Sequence, residues 1–263
     1  MKRSIARLSV IAGLLFSLCL GNPRPASALT VNERYVYRLF NDFLLRQPTS
    51  TEVANYSALL SAGASRASLV DSFVNGATFK NNYVAGIYDL YLDRDPTTAE
   101  LSSSVNSIGS NGFLVPEVNV LASSSFFQLA GSTNSGFVTR LYERVLRRAP
   151  DPSGQSFYTN QLNGGTKTRS QVATSMLRGS ESSALRVAGP ASMTECASTE
   201  LLDSDSLTSG SYCLVLDRMA DPSGKSFWAS QLQASGQLPD IWRSHAVSNE
   251  YYNGSVDFGP DEG

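Results

Sequence analysis

The chain has 263 residues, with 21 basic and 23 acidic side chains and a single histidine. Four of the basic residues, Lys2, Arg3, Arg7 and Arg24, lie in an N-terminal segment with the features of an export signal, and without them 17 basic residues face 23 acidic ones. A net charge of about −6 with no basic stripe repels phosphate backbones and excludes nucleic acid as a partner.

Residues 1–28 read as a signal peptide. Lys2, Arg3 and Arg7 supply its positive start, Leu8 to Leu20 form an apolar run, and Ala26-Ser27-Ala28 is a peptidase site that places the cut before Leu29. The apolar run is shorter than the ~20 residues a spanning helix needs, which favours cleavage over anchoring. Cys19 follows Leu18, whereas lipid-modified cysteines normally follow a small residue. No later apolar run is long enough to span a bilayer, so the expected location is the periplasm or the cell surface and beyond.

The rest of the chain repeats one small unit four times. Asp151-Pro-Ser-Gly-Gln-Ser-Phe-Tyr-Thr-Asn-Gln-Leu162 recurs 70 residues later as Asp221-Pro-Ser-Gly-Lys-Ser-Phe-Trp-Ala-Ser-Gln-Leu232, with eight of twelve positions identical. Two more divergent copies precede them: Phe40, Leu44, Arg46 and Pro48 match Tyr142, Leu146, Arg148 and Pro150 at an offset of 102, and Tyr88, Leu92, Arg94 and Pro96 match the same four at 54. An aromatic residue at i and a leucine at i+4 share a helix face. The proline two residues after the arginine, replaced by alanine in the last copy, ends that helix. In copies three and four Asp-Pro-Ser-Gly is turn chemistry, with Ser153 and Ser223, or Asp151 and Asp221, as candidate N-caps of a second helix. A glycine turn and a third amphipathic stretch follow, and each copy closes on small polar residues and usually an aromatic.

The expected fold is therefore all-α, with tandem repeats of about three short helices packed into one or two helical domains. A unit of 45–50 residues is too small for a secure core and must bury its apolar face on its neighbours. Residues 29–130 hold the first, divergent pair of copies. Residues 131–252 hold the second pair, with an inserted loop at 183–206, and the acidic tail 253–263 is expected to be disordered. Cys196 and Cys213 survive cleavage, and in an oxidising compartment an even pair at this spacing reads as a disulfide.

Leu146-Arg-Arg-Ala-Pro-Asp-Pro-Ser-Gly-Gln-Ser-Phe-Tyr-Thr-Asn-Gln-Leu162 resembles the signature of domain-of-unknown-function family 4214: a leucine-glycine-arginine-alanine-proline-aspartate run, a glycine, two aromatics and a leucine, and a closing Ser-x-Glu-Phe. In copy four, Asp217 to Gly224 and Ser248-Asn-Glu-Tyr251 keep most of it, while copies one and two lack Asp-Pro-Ser-Gly. The four copies span residues 33–252. The resemblance implies an all-helical module of exported and cell-surface bacterial proteins with no established catalytic residues. The family is also similar to phycobilisome linker domains, which join other proteins together.

Few residues point to chemistry. Asp151 and Asp221 lie in turns that loosely resemble part of a calcium loop, but the 6–8 oxygen donors such a loop supplies are not laid out, and capping is the reading adopted. Arg148 and Arg218 lie close enough to brace the turn that also contains Gly154 and Gly224. His245 stands beside Ser244 with no nucleophile elbow, and reads as a surface or satisfied helix residue. No catalytic, metal or cofactor site is expected. Tyr158, Trp228, Trp242, Tyr251 and Tyr252 are either core or a surface for a partner or glycan; their helical spacing favours core. Duplication without a unique polar constellation points to a non-enzymatic scaffold, adaptor or structural component of a cell-envelope assembly. A glycan-binding module is the alternative, and an envelope hydrolase comes third.

Overall fold

The computed structural model describes residues 29–109, 111–188 and 210–260. The signal segment, most of the insertion including Cys196, and residues 261–263 lie outside the described residues. All regular structure among the described residues is helical, and no helix among them is long and apolar enough to cross a membrane.

Copy one comprises α1 (Val31–Leu39), continued by a π turn at Phe40–Leu44, then α2 (Ser50–Ser61) and α3 (Arg66–Val74). Its closing stretch starts α4 (Ala77–Leu92), which runs on without a break as the first helix of copy two. Copy two continues with α5 (Thr98–Ile108), α6 (Leu114–Leu121) and α7 (Ser124–Leu129). Copy three repeats the plan of copy one: α8 (Asn134–Leu141) with a π turn at Tyr142–Leu146, α9 (Pro152–Asn163), α10 (Arg169–Leu177) and α11 (Ser180–Ala188). Copy four has α12 (Ser211–Leu216), α13 (Pro222–Ser235), α14 (Leu238–Ala246) and α15 (Asn249–Asn253).

In copies two, three and four the closing stretch thus adds a fourth, short helix to the three expected. In copies two and four it carries its own cap: Ser123 Oγ and Ser248 Oγ accept the amides of Phe126 and Tyr251, each at 3.1 Å. Two boundaries move. Residues 183–188, expected in the inserted loop, belong to α11, whose Val187 is buried. The tail is ordered as far as residue 260 because it docks on α1. A 3-10 turn at Ser255–Asp257 follows α15, Ser255 Oγ donates to Tyr251 O at 2.9 Å, and the Arg38 guanidinium sits 5.0 Å from the Phe258 ring centre.

Every first helix ends on a non-glycine residue with left-handed backbone: Leu45, Asp93, Arg147 and Asp217, with φ between 51° and 55°. That conformation costs on the order of 1 kcal/mol and leaves the carbonyls of the last turn without helical partners. Arginines from another copy take up some of them. Arg38 of copy one donates to Val215 O at 3.0 Å and to the Asp217 carboxylate of copy four. Arg140 of copy three donates to Tyr91 O at 3.2 Å and to Asp93 Oδ2 at 3.1 Å, both in copy two. Arg144 adds Leu90 O at 3.1 Å and the Asp93 carboxylate.

These contacts are equivalent. Copy one meets copy four as copy three meets copy two. The aromatic layer repeats the pattern: Tyr35 lies edge-on to Tyr251 at 5.7 Å, and Phe137 to Phe126 at 5.8 Å. Arg66 covers Tyr252 as Arg169 covers Phe127, at 4.7 and 4.2 Å. The pairing has the reciprocity of an isologous dimer, fused into one chain. One hydrophobic core runs through all four copies, from Leu29 to Tyr251.

At the centre the equivalence holds in position but not in chemistry. Tyr83 of α4 faces Trp242 with ring centres 6.1 Å apart. The corresponding residues of the other pairing are Arg186 and Glu117, a buried ion pair at 2.6 Å. Tyr83 Oη donates to the same Glu117 carboxylate at 2.8 Å, joining the two pairings.

Arg38→Ala is expected to lower the unfolding free energy by about 3 kcal/mol, since it strands the largely buried Asp42 beside Tyr251 and frees two buried carbonyls. The more open Arg140→Ala should cost about 1 kcal/mol. Urea denaturation of the two variants measures the difference, and equal losses would contradict this account.

Candidate functional site

The repeat-turn motif is the most regular polar feature of the fold. In all four copies the arginine after the left-handed residue lies over the first-helix aromatic: Arg46 on Phe40, Arg94 on Tyr88, Arg148 on Tyr142 and Arg218 on Tyr212, at 4.7–5.4 Å. Each also donates Nη1 to the carbonyl of the next residue, at 2.9–3.2 Å. Each arginine thus fastens the end of the first helix to the turn.

The acidic partner differs between the pairs. In copies one and two, Arg46 and Arg94 each grip a glutamate, Glu52 or Glu100, through two hydrogen bonds of 2.6–3.0 Å. Those glutamates are also the third residues of capping boxes whose N-caps are Thr49 and Thr97. The arginine bonds, with help from the threonines, hold both carboxyls down at about 2. In copies three and four the equivalent position is Gly154 or Gly224, and the arginine turns to the closing helix instead. Arg148 binds Glu181 at 2.5 and 2.8 Å, and Arg218 binds Glu250.

Asp151 and Asp221 are the N-caps, accepting the amides of Gly154 and Gly224 at 2.8 and 2.9 Å. Ser153 and Ser223, the other candidates, donate their hydroxyls to those aspartates at 2.5 Å. The serine hydroxyl bond, followed by the glycine amide, depresses the Asp151 carboxyl to about 2. A Cβ on Gly154 or Gly224 would overlap the hydroxyl of Tyr142 or Tyr212. The glycine of the motif is therefore required by the close approach of a tyrosine, not by backbone conformation.

The five candidate aromatics separate. Trp242 and Tyr251 are fully buried, which removes them from any surface. Trp242 packs edge-on against Phe79 and Tyr83, and Tyr251 Oη donates to Asp42 Oδ2 at 2.8 Å. Tyr158, Trp228 and Tyr252 are partly buried against the core. The exposed aromatics are their neighbours Phe157 and Phe227, at 56 % and 54 % exposure. These phenylalanines stand at near-helical spacing with Tyr158 and Leu162, or Trp228 and Leu232; in the structure the seventh residue after the cap points inward and the sixth outward.

His245 is buried rather than on the surface, wedged between Tyr212 and Trp228 at ring distances of 4.6 and 5.1 Å. Burial pushes its imidazole down to about 4, against a smaller opposing effect of the Ser211 carbonyl. Among the described residues no group of three or more His, Cys, Asp or Glu side chains could hold a metal ion. Cys213 is buried in α12, while Cys196 lies outside the described residues.

Reasoning from sequence missed the interlocking arginines and the capping boxes. Both left signals: Arg38 and Arg140 stand at the 102-residue offset of copies one and three, and Thr49-x-x-Glu52 and Thr97-x-x-Glu100 have capping-box spacing.

Fold and motif together define a helical-repeat protein whose repeated polar residues hold its own copies in place. Two tandem regions of the chain, residues 25–83 and 118–186, match the family described as Domain of unknown function (DUF4214). The matched regions take in copies one and three, together with the end of copy two. Copy four lies outside them despite its close likeness to copy three. No curated protein and no solved structure matches the chain.

Two outcomes follow from these contacts. Gly154→Ala, which in a helix ordinarily gains about 1 kcal/mol, is expected to lose about 1–2 kcal/mol through overlap with Tyr142. Tyr142→Phe in the same chain should restore most of that loss, as read from urea midpoints. His245 has a folded-state pKa below its unfolded value of ~6.5, so the unfolded chain binds the proton first. Stability is then lost as pH falls from about 6.5 towards 4, by on the order of 3 kcal/mol. Asp42, raised by burial to about 7, opposes this in the same window. His245→Met, the residue copy three uses, isolates the histidine: the variant's unfolding free energy should lack that acid loss, and identical pH profiles would refute the assignment.

Proposed function

We propose that the protein is an exported, non-enzymatic scaffold or adaptor of a bacterial cell-envelope or surface assembly. The observation that carries this reading is the contrast between the inside and outside of the repeat. The motif residues Arg148, Asp151, Gly154, Arg218, Asp221 and Gly224 are engaged in holding their own turns. What copies three and four present to solvent, 70 residues apart at one equivalent position, is Phe157 and Phe227. Repetition of an exposed aromatic extends a surface, and aromatic residues anchor protein interfaces. The same reading takes residues 1–28 as a cleaved signal and pairs Cys196 with Cys213 in an oxidising compartment.

The mature chain is expected to recover a specific protein from envelope extract, and Phe157→Ala with Phe227→Ala to weaken capture by about tenfold or more. The intact mass of the exported protein should begin at Leu29 and include one disulfide. Recovery of no partner by a purely monomeric chain would sink the reading. Glycan binding is favoured by one feature, the pairing of exposed Phe227 with half-buried Trp228 at 4.9 Å. It predicts quenching of Trp228 fluorescence by oligosaccharides, with buried Trp242 silent.

A further inference from the structure

The four copies can be compared position by position, and one position differs in a way that leaves a space. Seven residues after the N-cap of the second helix, copies one, three and four place an aromatic plug: Tyr56, Tyr158 and Trp228. The plug fills the gap between the first helix and the third. Tyr56 lies 5.8 Å from Phe40 and 5.6 Å from Phe73. Tyr158 lies 6.5 Å from Tyr142, and Trp228 lies 5.1 Å from His245.

Copy two has Ser104 there. The third-helix residue is correspondingly small: Val120 stands where the others have Phe73, Met176 and His245. The first-helix aromatic, Tyr88, is retained, and its hydroxyl lies 3.4 Å from Ser104 Oγ. The result is a half-open pocket of about 370 Å³, lined by Tyr88, Leu92, Ser103, Ser104, Asn119 and Val120 among others. Its size falls within the range of small-molecule pockets, roughly 300–1,000 Å³.

We propose that this cavity is a binding site for a neutral aromatic ring bearing a hydroxyl group and a short substituent, in the class of substituted phenols. The other three copies show what chemistry fills the space. The lining adds Ser103, Ser104 and Asn119 as hydrogen-bonding partners for a hydroxyl. A cation is disfavoured because Glu100, the acid at the rim, is already taken by Arg94, Thr97 and its own capping box. The inference is independent of the scaffold reading, since it concerns copy two and not the exposed phenylalanines of copies three and four.

The probe is p-cresol, titrated into the mature chain and followed by amide shifts in two-dimensional NMR. Binding is expected with a dissociation constant on the order of 1 mM, well inside what a ligand of so few atoms can reach. Shifts should be centred on residues 103–104 and 119–120. Ser104→Tyr, which restores the plug of copies one and three, should weaken binding at least about tenfold and raise the melting temperature. If that variant does not fold, Val120→Met, the choice of copy three, should weaken binding in the same direction. The proposal is overturned by absence of shifts at ~10 mM probe, by unchanged affinity in the refilled variant, or by 4-methylcyclohexanol binding as tightly as p-cresol.

Discussion

The fold depends on arginine side chains that capture the ends of helices in another copy. A helix that stops on a left-handed residue leaves carbonyls facing out with partial negative charge. Arg38 and Arg140 meet that charge from the opposite half of the molecule and bind the aspartate at the same corner. Because the left-handed corner is generated inside each copy, duplication supplies both the receptor and the ligand of this contact. A pair of copies can therefore recognise another pair without new chemistry. The chain realises that pairing within itself, and the long-range contacts between α1 and copy four follow from it.

Around that clamp the copies have diverged while keeping their geometry. The turn arginine needs a carboxylate, and the protein supplies it by two routes. Copies one and two place glutamate at the third residue of the second helix, where it also completes a capping box. Copies three and four place glycine there, let a tyrosine hydroxyl move in, use aspartate as the cap, and bring the carboxylate from the closing helix. Each route is internally consistent, and a single exchange between them is not. Gly154 replaced by glutamate would place a side chain where Tyr142 sits, and Glu52 replaced by glycine would leave Arg46 without its partner. At the centre the same divergence turned an aromatic contact, Tyr83 with Trp242, into an ion pair, Arg186 with Glu117.

Much of this was legible in sequence, for reasons that can be stated residue by residue. The all-α class and the four copies follow from spacing, because an aromatic, a leucine, an arginine and a proline at fixed intervals already describe a helix and its stop. The capping role of Asp151 was one of two readings, and geometry chose it over Ser153. Which face of the second helix is buried was not legible: Phe157 and Tyr158 are adjacent and both aromatic, and only the position of Tyr142 decides between them. Trp242 and Tyr251 read as core from their helical spacing, with a surface as the alternative, and the alternative stayed open because their burial is provided by α1 and α4, far away in the chain. The closing helices were not legible as helices because five to nine residues are too few for periodicity to register. The tail looked disordered by composition, yet Phe258 meets Arg38 from across the fold.

The unbroken helix α4 has a mechanical meaning of its own. It carries the end of copy one into the start of copy two as a single rod, so the rotational phase between the two copies is set by a residue count. One residue added within it would turn everything beyond by about 100° and advance it by about 1.5 Å, taking Asp93 out of reach of Arg140. In the second half, α11 packs directly on both α12 and α13, so side chains meeting face to face hold copy three against copy four. The first half of the molecule is timed like a shaft, and a change of length inside α4 is felt as a rotation before it is felt as a loss of packing.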